Sequence, residues 1–210
     1  MRLSSTNSPG KRRNSKWATD PISQYTALLD ANVLYPAPLP DLFLQLAVTD
    51  LFKAKWTADI HREWINALLR NEPQRNRAAL ERTRDLMDTA TRDSLVTGYE
   101  ALIETLPLPD PDDRHLLAAA IVGRCDVIVT QNLKDFPDAA LAPFEIEAQR
   151  PDEFLCNHLS LAPGVVCGAV RKVRARLLRP PYSVEDYLAT LTRQGLVATV
   201  GELQSFADLL

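Results

Sequence analysis

Four short stretches of this chain carry a carboxylate where an element of structure should end or turn. They are Leu28-Leu29-Asp30-Ala31-Asn32, Ile60-His61-Arg62-Glu63-Trp64, Asp112-Asp113-Arg114-His115 and Thr130-Gln131-Asn132-Leu133-Lys134-Asp135-Phe136. Asp30 and the last stretch each follow a short apolar, β-rich run, as residues at the carboxyl ends of parallel strands do. Open α/β sheets keep their chemistry there. Carboxylates gathered within a few Å repel one another unless cations neutralise them. An acid-lined cleft suits a hard ion, Mg²⁺ or Mn²⁺, because such ions take oxygen ligands. A pair of these ions about 4 Å apart carries in-line attack of water on a phosphodiester, one activating the water and the other stabilising the leaving 3′ oxygen. The expected catalytic and metal-holding residues are therefore Asp30, Glu63, Asp113 and Asp135. Asn32 and Asp112 are placed to support them.

Each acid also has an ordinary explanation. Asp30 and Asp135 are good turn residues. Asp112 and Asp113 complement a helix dipole, worth about 0.3–1 kcal/mol each. Glu63 is harder to dismiss, because it lies three residues from Ile60 and four from Ala67 and so borders an apolar stripe. An unpaired carboxylate is costly to bury there. Four such signals in compatible positions outweigh the separate explanations. His115, two residues after Asp113, falls about 200° around a helix and reads as a capping or surface residue. The seven glycines form no phosphate-binding loop, and the three scattered histidines argue for no Ser–His–Asp set.

The elements that must position these acids alternate between strand and helix. Strands are expected over residues 26–30, 52–56 and 126–130, with further ones over 94–97 and 145–148. Helices are expected over 41–50, from a Thr57 cap to about Arg70, over 77–90, and from an Asp110 cap with Pro111 in the first helical position. The pattern implies a three-layer α/β/α core around a mostly parallel sheet. After Arg150 the β pattern stops. Residues 151–210 read as helices broken at Pro163, Pro180-Pro181 and Gly195, with capping boxes at Ser183-x-x-Asp186 and Thr199-x-x-Glu202. The division expected is a disordered basic tail at 1–24, a catalytic domain at 25–149 and a helical extension at 150–210.

The chain is 210 residues long, 46% hydrophobic and 24% charged, as ordinary globular proteins are. No apolar run approaches the roughly 20 residues that span a bilayer, so no membrane partner is expected. Three cysteines without metal-ligand spacing read as reduced thiols of a cytoplasmic protein. A net charge of −3 does not suggest bulk nucleic-acid binding. Local basic patches hold phosphates even so, and Arg171, Lys172, Arg174, Arg176 and Arg179 crowd one helical stretch expected to meet RNA or a partner.

Together these residues resemble the PIN-domain ribonucleases of the VapC-like group, the toxins of bacterial type II toxin–antitoxin pairs. The matching stretches are Leu28–Leu34, Glu63-Trp64, Asp113–Ala120 and Val127–Phe136, and the resemblance covers about residues 25–149. The helices after Arg150 resemble the extension of a longer subgroup. The resemblance makes Asp30, Glu63 and Asp113 the first three acids of the site. The family usually supplies a fourth directly after the Thr of the last motif, where this chain has Asn132, with Asp135 three residues on. Either Asp135 substitutes, or Asn132 coordinates weakly, or metal affinity is lower. The resemblance implies Mg²⁺- or Mn²⁺-dependent endonucleolytic cleavage of structured RNA, a homodimer, and a cognate antitoxin that blocks the site. A non-catalytic PIN-like RNA- or protein-binding module is the alternative. A phosphatase with Asp30 as nucleophile is weaker, since Asn32 stands where its second acid should be.

Overall fold

The computed structural model describes residues 25–35, 38–178 and 180–210; the tail read at 1–24 lies outside them, as does Arg179. Strands β1 (Thr26–Leu29), β2 (Lys53–Lys55), β3 (Val127–Val129) and β4 (Glu147–Gln149) form one parallel sheet in the order β2-β1-β3-β4. β1 and β3 are short runs buried at every position, because helices cover both faces of the sheet. The ladder continues one residue past the strands. The Asp30 amide donates to the Val129 carbonyl at 3.1 Å, and the Thr130 amide to the Gln149 carbonyl at 3.0 Å. Asp30 and Thr130 thus stand side by side at the carboxyl end of the sheet.

The helices are α1 (Leu39–Val48), α2 (Ala58–Asn71), α3 (Arg77–Ala90), α4 (Arg114–Val122), α5 (Asp138–Leu141), α6 (Pro151–Leu161), α7 (Pro163–Arg176), α8 (Val184–Arg193) and α9 (Val197–Leu203). Thr57 caps α2 as expected, its hydroxyl oxygen accepting from the Ile60 amide at 3.1 Å. In α4, Leu116–Ala120 are all buried, and the alanines let the helix lie close to β1 and β3. A Cβ on Gly123 would meet the Ala119 carbonyl oxygen at 2.9 Å and Val96 at 3.0 Å, so only glycine lets α4 end against that neighbour.

Several boundaries differ from expectation for local reasons. α1 begins at Leu39, two residues early, with Pro40 in its first turn. Residues 94–97 give a single bridge from Trp56 to Leu95 and no strand. The last strand starts at Glu147, because Glu145 adopts φ 57° at the end of the preceding turn and cannot be extended. Thr199 opens no capping box. It lies inside α9, whose first amides are capped from another helix: Asp152 of α6 accepts from Ala198 N at 2.9 Å and Thr199 N at 2.8 Å. Ser183 does cap α8, with the Asp186 amide donating to Ser183 Oγ at 3.0 Å and the Ser183 hydroxyl donating to Asp186 Oδ2 at 2.9 Å.

The helices after Arg150 share the core of the sheet region. Phe154 of α6 is fully buried, stacked on Phe43 at 5.7 Å between ring centroids and edge-on to Phe52 at 4.9 Å. Arg176 of α7 donates to Gln45 Oε1 of α1 at 2.6 Å. Cys125 and Cys167 are buried, Cys156 is partly so, and all three are free thiols. Among the described residues, no helix is long and apolar enough to cross a membrane.

Candidate active site

Asp30 is the centre of the arrangement. Its side chain is 6% exposed and accepts hydrogen bonds from Thr130 Oγ1 at 2.6 Å and from the Asn32 amide nitrogen. Asn32 also reaches across to the neighbouring loop, its Nδ2 donating to Thr130 Oγ1 at 3.1 Å and its Oδ1 accepting from the Gln131 amide at 3.0 Å. A carboxylate offers about four lone-pair sites, so these donors orient Asp30 and still leave acceptor capacity for a cation. Burial raises the Asp30 pKa above its ordinary value, and the Glu63 charge adds to this, against the hydrogen bonds from Thr130 and Asn32.

Asp113 is delivered by a single 3₁₀ turn, Pro111–Asp113, which precedes α4. Asp110 caps that turn, its Oδ1 accepting from the Asp112 amide at 2.9 Å. Asp135 comes from a second 3₁₀ turn, Leu133–Asp135, just after β3. One carboxylate oxygen from each of Asp110, Asp113 and Asp135 lies within 4.8 Å of the others. Asn132 donates through its Nδ2 to Asp135 Oδ2, so the amide holds an acid three residues on. Asp113 feels the crowding most: burial, then Asp30, Asp110 and Asp135, push its pKa up to about 6. Asp112 is exposed and outside this group. Beyond the cap that the sequence predicts, Asp110 joins the acid group, and two more acids within the next three residues are the local signal for it.

Glu63 comes from α2, and a buried network sets how that helix faces the sheet. Trp64 Nε1 donates to His61 Nδ1 at 2.9 Å, which leaves the ring proton on Nε2, 3.1 Å from Asp88 Oδ1. Trp56 Nε1 donates to the same Asp88 oxygen at 2.7 Å. Glu63 itself is half-buried, and its Oε1 is 3.2 Å from His115 Nε2. The surface or capping role expected of His115 is therefore corrected: its side chain is 12% exposed and lies among the acids. The reason is local. Asp113 belongs to the 3₁₀ turn and not to α4, so a rotation of about 100° per residue does not relate the two side chains.

The basic stretch divides in two. Arg174 donates to the carbonyl oxygens of Tyr182 at 2.9 Å and Leu210 at 3.3 Å, and Arg176 to Gln45, so both fasten the C-terminal helices. Arg171 and Lys172 are exposed on α7.

The donor set of this cleft consists of carboxylates, an amide pair and one imidazole that already serves Glu63. That chemistry fits a hard divalent cation and does not fit zinc, which favours cysteine and histidine ligands.

The PIN-domain family matches residues 26–134, more than half of the chain, and this protein belongs to that family. Residues 151–205 match a second family, the VapC50 C-terminal domain. A curated relative in Mycobacterium tuberculosis, named "Putative ribonuclease VapC50", is 42% identical over 97 residues, 46% of this chain and 57% of the relative. The chain thus spans little more than half the length of that relative. No solved structure matches the chain.

Proposed function

We propose that this protein is a Mg²⁺- or Mn²⁺-dependent endoribonuclease and the toxin of a type II toxin–antitoxin pair. The observation that carries the proposal is the convergence of Asp110, Asp113 and Asp135 beside buried Asp30, where burial and the neighbouring acids raise the Asp113 pKa to about 6. A family of nucleases and a relative whose name calls it a ribonuclease support the same reading. Asp30, Glu63, Asp113 and Asp135 would hold the ion, with Asp110 within reach. Bound there, the ion supplies charge neutralisation and Lewis acidity for in-line attack of water on a phosphodiester. Asn32 and Thr130 orient Asp30, and Asn132 orients Asp135, so the amide at position 132 supports the site even though it supplies no acid.

The accompanying proposals follow the same reading. The substrate is a structured RNA, approached by Arg171 and Lys172. The partners are a cognate antitoxin, which sets a basic side chain among the carboxylates, and a second copy of the chain in a homodimer. The setting is the cytoplasm. Residues 25–149 form the nuclease domain and 150–210 its helical extension.

Cleavage of total bacterial RNA by purified protein in Mg²⁺ or Mn²⁺ tests this. Discrete fragments that vanish with EDTA and with Asp30→Asn are the expected result. RNA binding that survives Asp30→Asn, without cleavage and without Mn²⁺ binding, would favour the non-catalytic binding module that Asn132 suggests.

A further inference from the structure

The His115–Glu63 contact joins α2 to α4, two elements of the site. Glu63 is the only one of the proposed metal-holding acids carried by α2; Asp30, Asp113 and Asp135 come from the ends of β1 and β3 and the turn before α4. Asp30 is steadied by Thr130 and Asn32, and Asp135 by Asn132. Among the described residues Glu63 has one such partner, His115 Nε2 at 3.2 Å, on the first turn of α4. The imidazole is in position to act as a strut, since only 12% of its side chain is exposed while Glu63 is 41% exposed. A half-exposed glutamate with free χ angles samples many rotamers, and a close contact with a largely buried ring nitrogen selects among them. His115 Nδ1 is buried without a partner among the described residues, so Glu63 is the ring's one polar attachment.

We propose that His115 is a positioning residue of the metal site, holding the Glu63 carboxylate of α2 toward Asp30 and Asp113 through the 3.2 Å Nε2–Oε1 contact. This rests on the metal-dependent reading above. Outer hydrogen-bond partners of ligating groups typically change metal affinity by about 10- to 100-fold when removed.

The test uses the full chain and Mn²⁺ alone, titrated by calorimetry, with His115→Phe and His115→Gln. The glutamine amide can occupy the place of Nε2 and donate to Glu63; phenylalanine cannot. The expected result is Mn²⁺ binding weakened about tenfold or more in His115→Phe and largely restored in His115→Gln, with both variants showing the cooperative thermal transition of the parent. Mn²⁺ binding in His115→Phe as tight as in the parent, or tighter, would overturn the proposal, because the ring would then be a mere filler or a competing cation. Equal weakening in both variants would overturn it too, since no Nε2-like donor would be at work. A parent protein that binds no Mn²⁺ would instead remove the metal-dependent reading itself.

Discussion

Toward the amino ends of β1 and β2, Tyr25, Phe52 and Phe154 pack around His158; at the carboxyl ends of β1 and β3, Asp110, Asp113 and Asp135 gather beside Asp30, with His115 against Glu63. Both regions contain a largely buried imidazole, yet the two rings respond oppositely. His158 lies 4.2 Å from the Phe154 ring between centroids and gives its Nδ1 hydrogen to the Phe154 carbonyl at 2.8 Å, and burial among apolar neighbours lowers its pKa. Only 12% of the His115 side chain is exposed, but close contact with the Glu63 carboxylate and its charge, with Asp59 and Asp30 beyond, outweigh desolvation and raise its pKa. The aromatic seam satisfies itself internally, whereas the acid cleft concentrates like charge that only a cation relieves. On the proposed reading, one end of the sheet holds the fold together and the other binds a cation.

The largest effect should come from cutting the seam. Phe154→Ala should lower unfolding free energy by about 3–5 kcal/mol in urea melts, because it opens a cavity between α1, β2 and α6. Asp30→Asn should change stability by less than about 1 kcal/mol, since Asn retains one acceptor for Thr130 and Asn32, while removing RNA cleavage. A Phe154→Ala protein as stable as its parent would break the contrast.

Next in size is the divided basic stretch. Arg174→Ala should cost about 1–3 kcal/mol of stability by orphaning the Tyr182 and Leu210 carbonyls. Reversing Arg171 and Lys172 to Glu should leave the melt unchanged and lower the slope of log affinity for RNA against log salt by about 1–2.

The pH responses sharpen the comparison. Asp113 has a folded pKa of about 6 against an ordinary 3.8, so the folded state binds its proton more tightly. Stability from this group is present at low pH and lost as pH rises through about 6. Asp113→Asn should therefore raise the melting temperature near pH 7 and leave it unchanged near pH 4. His158 has the opposite sign. Its folded pKa is depressed from 6.5, so the unfolded chain takes up the proton first and stability falls as pH drops below about 6.5. His158→Leu should blunt that acid-side loss, a smaller change read from Tm against pH.

Much of the cleft was legible in the sequence because local rules govern it. Asp30 follows a four-residue buried strand, Asp113 follows the Asp110-Pro111 start, and Asp135 lies in the turn after β3. The place of His115 was not legible, because helical periodicity was carried across a junction between a 3₁₀ turn and an α-helix. Asp152 capping α9 across 46 and 47 residues is tertiary, and no local pattern announces it. Phe154 looked like part of an appended helix, yet its ring completes the seam with Phe43 and Phe52, which lie about a hundred residues earlier in the chain.

The most direct test is anomalous diffraction from crystals of the full chain soaked in Mn²⁺. Strong peaks among Asp30, Asp113 and Asp135, with Glu63 turned toward them, are the predicted result. Full occupancy of Mn²⁺ elsewhere on the protein, with these carboxylates unmoved and without a peak between them, would contradict the assignment of this end of the sheet as a metal-dependent active site.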